Sequence, residues 1–132
     1  MTEATKQSIS DTLPSPEGKD LARVCARLFD ERRLTDVVVF DIGAILQVAD
    51  YFVLATGVSP RQVKKAADGV LDALRAHRIR PFGVEGYEQG RWILIDLGDV
   101  VLHLMVEEAR LFYNMELLWG DCPQLAWNDG KP

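Results

Sequence analysis

Cysteine is scarce in this chain. Cys25 and Cys122 are the only two in 132 residues, lie almost a chain length apart, and belong to neither a CxxC nor a Cys/His ligand spacing. A disulfide framework and a structural zinc site are set aside on that ground, and two reduced thiols in a cytoplasmic protein are the expectation. Long apolar runs are missing as well: no stretch approaches the roughly 20 residues that cross a bilayer, so no membrane partner is expected. The first 18 residues hold no arginine and no apolar segment, and set Glu3, Asp11 and Glu17 against Lys6 alone. That is unlike a secretory signal or a mitochondrial transit peptide. Neither GxGxxG nor GxxxxGK(S/T) occurs, nor does an HxxxH or HxH pair, which leaves dinucleotide, P-loop and helical metal sites without a signature.

What is present is the composition of an ordinary folded domain, 48% apolar and 27% charged, in a length that suits one core. Charge is uneven along it. Residues 19–78 carry ten bases and eight acids, whereas residues 79–132 carry four bases and nine acids. A surface that neutralises phosphates needs clustered Lys and Arg. The acidic C-terminal part therefore suits a basic protein partner, and little direct nucleic-acid binding is expected.

Residues 1–14 are unpatterned and read as a mobile arm, 15–120 as the domain, and 121–132 as a tail. Ser15-Pro16-Glu17 is a helix start, and the helix is expected to reach about Arg33, with Leu21, Val24, Cys25 and Leu28 buried and Arg23, Arg27 and Asp30 in water. DVVVFDI, residues 36–42, is β-branched and apolar throughout, which predicts a central strand. YFVLAT, residues 51–56, predicts another, and the loop between them is unusually apolar at Ile45, Leu46 and Val48. Ser59-Pro60-Arg61-Gln62 is a capping box with Pro at the first helical position. Val63, Ala66, Ala67, Val70, Leu71 and Leu74 then mark one face of a helix that Pro81 is expected to stop.

After a Gly-rich connection, FGVEGYEQG, the stretch WILIDLGDVVLHLM places Gly98-Asp99 as a two-residue loop between alternating strands. Such a hairpin pairs Ile93, Ile95 and Leu97 with Leu104, Leu102 and Val100, an aliphatic layer that is core. It pairs Trp92, Leu94 and Asp96 with Met105, His103 and Val101, a mixed layer. Two readings of that layer stand: a helix covers it, or it is a docking face with Trp and Met at its centre. Glu107-Glu108 opens a last helix with Leu111, Phe112 and Met115 expected inward, followed by Leu117, Leu118 and Trp119. The order of elements is helix, strand, strand, helix, short strand, strand, strand, helix, an α/β domain with a mixed sheet.

Enzyme chemistry finds little support in the residues. Ser59 is committed as a cap, His77 and His103 stand on different elements, and Asp96 and Asp99 are separated by a turn, a poor arrangement for two metal ions. A metal-dependent nucleotidyltransferase using Asp96 and Asp99 remains the alternative, and an RNA-binding module resting on the basic middle segment a third.

The motifs ADYFVLATG, Ser59 with RQV, GVEG, RW followed by ILIDLGDVVLH, EAR with FY, and ELLWGD together resemble the ribosomal silencing factor family, also called the Iojap family. The similarity runs from about Leu21 to Asp121, and departs from the family at Leu46 and Gln47, where relatives are usually serine-rich. The resemblance implies a nucleotidyltransferase-like sheet without catalytic carboxylates, no cofactor and no enzymatic activity. It further implies binding to the large ribosomal subunit at ribosomal protein number fourteen, a steric block to subunit joining that represses translation, and a homodimer when free. The docking residues expected on this basis are Trp92, Leu94, Asp96, Val101, His103 and Met105, with Asp99 and Glu85 as acidic neighbours.

Overall fold

Local signals set most of the elements. The computed structural model describes residues 17–43, 49–113 and 121–128. The arm, the Ser15-Pro16 cap, the loop with Ile45 to Val48, the side chain of Phe112, and Met115 to Trp119 lie outside the described residues. In chain order the elements are α1 (Glu17–Glu31), β1 (Thr35–Asp41), β2 (Tyr51–Gly57), α2 (Pro60–Ala76), β3 (Gly83–Glu85), β4 (Trp92–Asp96), β5 (Val100–Val106) and α3 (Glu107–Tyr113).

The five strands form one mixed sheet in the order β1-β2-β5-β4-β3. Among the described residues only β2 and β5 pair in parallel, Val53 beside Leu102 and Ala55 beside Leu104. The other pairs are antiparallel. Register then sorts the side chains, because residues paired across strands share a face. One face carries Val53, Ala55, Ile93, Ile95, Leu102 and Leu104, all fully buried. Both long helices cover it: a Cβ at Gly57 would meet Val63 of α2, and one at Gly18 of α1 would meet the Tyr51 ring. Each Ile or Leu buried there contributes about 1.5–3 kcal/mol.

The strand read as central, β1, is an edge strand. Its outer edge is closed by the segment set apart as a tail: Asp41 N–H donates to Pro123 O at 2.8 Å, Leu125 N–H to Val39 O at 2.9 Å, and Phe40 bridges Gln124. Leu125 and Trp127 pack against the core, and Trp127 Nε1 donates to Val37 O at 3.2 Å. Covered in this way, an edge strand has the apolar composition of an interior one. The buried stripe of α1 is also shifted. Ala22, Cys25, Ala26 and Phe29 are fully buried, Leu28 is half-buried and Val24 is 42% exposed. Small alanines let the helix axis approach the sheet, which size-weighted reading of the sequence undervalues. In α3, Ala109 and Arg110 face inward and Leu111, expected there, is 71% exposed. Arg110 Nη1 donates to Asp36 O at 2.7 Å and Thr56 Oγ1 at 2.8 Å, which fixes the helix against the bulged start of β1.

Helix ends follow capping rules, with one departure. Ser59 Oγ accepts from Gln62 N–H at 3.1 Å, and Gln62 Oε1 accepts in return from Val58 N–H at 2.6 Å. At the other end α2 stops before Pro81: Arg78 adopts φ +63°, and Ile79 N–H donates to Leu74 O while Arg78 N–H donates to Arg75 O. Helix α1 stops at Glu31, two residues short of the expected boundary, and its end repeats this motif with Arg33 at φ +65°. Both left-handed positions hold arginine where glycine is the usual solution. Arg78→Gly is expected to raise the unfolding free energy by about 0.5–1 kcal/mol, and Ser59→Ala to lower it by about 1 kcal/mol, both read by urea denaturation.

Candidate functional site

The hairpin folds as its turn residues dictate. Gly98 takes φ +92°, Leu97 N–H donates to Val100 O at 2.8 Å, and the pairs run Asp96 with Val101, Leu94 with His103 and Trp92 with Met105. The two-residue loop with a positive φ at its first position matches the twist of the strands. Asp96 takes part in the turn itself: its Oδ1 accepts from Gly98 N–H at 2.8 Å. Asp99 is exposed at the tip, and its carbonyl oxygen accepts from the N–H groups of Asp50 and Tyr51.

The mixed layer thus occupies one face, as expected, and β2 extends it. Phe52 pairs with Val101, Leu54 with His103 and Thr56 with Met105, so Phe52 joins the same surface. Sequence reading missed it because a parallel pairing has no local turn to announce its register. The face is covered at one end, where α3 reaches Thr56 through Arg110. Trp92, Leu94, Asp96, Val101 and Phe52 are half-buried, Glu85 beside Leu94 is exposed, and Met105 and His103 are buried. Met105 and His103 therefore lie beneath the surface, and the accessible apolar groups are Trp92, Leu94, Val101 and Phe52.

His103 is the most perturbed group of the face. Only 3% of it is exposed, and burial pushes its pKa down to about 4 from 6.5. Trp92 Nε1 donates to His103 Nδ1 at 3.1 Å, which places the single imidazole proton on Nε2. Phe52 meets the imidazole edge-on, with ring centroids 4.7 Å apart. Behind Trp92 the chain turns at Gly86, φ +81°, where a Cβ would come within 2.0 Å of Trp92 O, so only glycine fits.

Among the described residues no three His, Cys, Asp or Glu groups are placed to hold a metal ion. Cys25 and Cys122 are free and buried, and burial raises the Cys25 thiol to about 12. His77 is exposed at the end of α2, with Nδ1 3.0 Å from Ala73 O. A cavity of about 790 Å³ lies between the start of β1, α3 and the C-terminal segment, lined by Asp36, Thr56, Arg110 and Trp127 among others, and none of the expected docking residues borders it. No helix of the described residues is long and apolar enough to cross a membrane.

These features define a single-domain α/β protein built on a five-stranded mixed sheet, the two long helices packed over one face and a mixed aromatic face opposite. Residues 15–131 match the family described as ribosomal silencing factor during starvation, RsfS. The chain is 38% identical over 105 residues to ribosomal silencing factor RsfS of Bacillus subtilis, covering 80% of this chain and 89% of that one. A crystal structure of a Chromobacterium violaceum protein matches with a TM-score of 0.74 at 32% identity, covering 86% of this chain and 95% of that one. The chain is also 28% identical over 95 residues to a mouse protein named mitochondrial assembly of ribosomal large subunit protein 1, covering 70% of this chain and 42% of the mouse protein. The chain belongs to the ribosomal silencing factor family, as its motifs indicated.

The buried imidazole has a measurable consequence. Its folded pKa lies below the unfolded value, so on acidification the unfolded chain takes up the proton first and the fold loses stability. The loss is expected to begin near pH 6.5 and to level off near pH 4, totalling about 3 kcal/mol from this group. Urea melts of the wild type and His103→Asn across that window should differ in slope, the variant being flatter.

Proposed function

We propose that the protein binds the large ribosomal subunit at ribosomal protein number fourteen through the Trp92 face, and represses translation by occupying space the small subunit needs. Family membership supports the ribosomal setting, and the name of the mouse relative points to the large subunit. The observation that carries the reading is a half-buried tryptophan on a sheet face with Leu94, Val101 and Phe52, bordered by exposed Glu85 and Asp99. Aromatic anchors with depleted charge at the centre and charge at the rim are the anatomy of a protein interface. The carboxylates of Glu85 and Asp99 suit basic residues on the partner. The protein acts in the cytoplasm as a binding protein without enzymatic activity, makes little direct contact with nucleic acid, and forms a homodimer when free.

Sedimentation of purified large and small subunits with and without the protein tests this. The expected result is loss of the joined particle, with the protein travelling in the large-subunit fraction. Trp92→Ala is expected to weaken large-subunit binding by at least about 2 kcal/mol, roughly 30-fold in Kd. Wild-type affinity in folded Trp92→Ala and Leu94→Ala would take this face out of the mechanism. Glu85→Gln combined with Asp99→Asn is expected to slow association and to reduce its dependence on salt, seen by surface plasmon resonance.

A further inference from the structure

Trp92, His103 and Phe52 lie on three neighbouring strands along one diagonal of the sheet: Trp92 pairs with Met105, His103 with Leu54, and Phe52 with Val101, each one step of the face apart. The indole N–H, a donor with no acceptor capacity, points at His103 Nδ1 from 3.1 Å. The imidazole is flanked on its other side by the Phe52 ring. Its remaining polar atom, Nε2, is buried and has no hydrogen-bond partner. An imidazole kept for packing alone makes little physical sense there, because an apolar ring of similar size would fill the space without burying an unmatched donor. What the histidine supplies that a phenylalanine cannot is an acceptor for the indole.

We propose that His103 is a positioning residue for docking: by accepting from Trp92 it turns the indole N–H into the protein's own sheet and presents the hydrocarbon edge of the ring outward. The inference rests on the docking reading given above and specifies the partner surface it requires. Opposite Trp92 the partner needs no hydrogen-bond acceptor. It offers an apolar patch, with basic groups placed further out to meet Glu85 and Asp99. Holding the ring in one orientation before contact also reduces the ordering that binding would otherwise impose. The neutral Nε2–H tautomer follows from the same hydrogen bond, since an imidazolium has a proton on both nitrogens and cannot accept.

Two variants separate positioning from packing. His103→Phe keeps an aromatic ring and removes the acceptor; His103→Asn loses volume but sets an amide oxygen near the place of Nδ1. Nitrogen-resolved NMR of the full chain should show the Trp92 indole proton protected from solvent exchange in the wild type and in His103→Asn, and exchanging about tenfold faster or more in His103→Phe. Affinity for purified large subunits should fall about tenfold in His103→Phe and be largely recovered in His103→Asn. A packing role predicts the opposite order of the two variants, and that order overturns the proposal. Should His103→Phe fail to fold, the wild-type imidazole nitrogen shifts decide the matter: a proton on Nδ1 contradicts the proposal, and one on Nε2 with an accepting Nδ1 supports it. Wild-type affinity in Trp92→Ala would remove the docking reading and this inference together, whereas weakened Trp92→Ala beside unaffected, folded His103→Phe would remove this inference alone.

Discussion

At the tip of the β4–β5 ribbon, Gly98 at φ +92° and the Asp96 carboxylate on its N–H fix which residue faces which. Side chains alternate with a period of two, so a slip of a single position would turn Ile93, Ile95, Leu102 and Leu104 to the outer face and drive Trp92, Asp96 and His103 under the helices. Everything on the outer face inherits its position from that turn. The constraint also spreads sideways: β5 is the strand shared by the antiparallel ribbon and the parallel β2 pair, so its register sets the place of Phe52 against Val101. The turn is anchored in its turn to the rest of the fold, because the Asp99 carbonyl accepts from both Asp50 and Tyr51 at the entrance to β2.

What could be read from the residues alone divides along the same line between local and distant causes. The hairpin, its two faces and its full register were legible, since a two-residue Gly-Asp loop leaves little choice of pairing. The capping box at Ser59 was legible for the same reason, its partners being three residues apart. By contrast the placement of β1 at the edge depends on the C-terminal segment returning to pair with it, an event some eighty residues distant that leaves no mark on DVVVFDI itself. Val24 and Leu111 were expected inward, Val24 from its spacing along the helix, but Ala22, Ala26 and Ala109 are buried instead, and their contribution is the closeness of approach they permit. The left-handed ends at Arg33 and Arg78 were hidden because arginine carries no signal for that conformation.

The hairpin residues expected to dock lie on one face of the sheet but differ in exposure. Six side chains were brought together as the alternation required, but β5 lies centrally in the sheet, so its Met105 and His103 are covered while those of β4 nearer the edge are not. His103 is thus a buried group that meets the surface through Trp92, to which it is hydrogen-bonded.

The sheet edges bear on how such a domain engages a partner. An open edge invites strand addition, in which main-chain groups supply the affinity. Here the β1 edge is taken by residues 123–125 of the same chain, and the opposite edge is β3, only three residues long. A strand of that length offers few main-chain donors and acceptors, and Gly83 gives it no side chain at one of its three positions. Among the described residues, the half-buried side chains of Trp92, Leu94, Val101 and Phe52 give the sheet a surface that does not depend on main-chain pairing. Such a surface depends on the orientation of a few rings rather than on a ladder of backbone bonds, and the hydrogen bond to His103 holds one of those rings, Trp92.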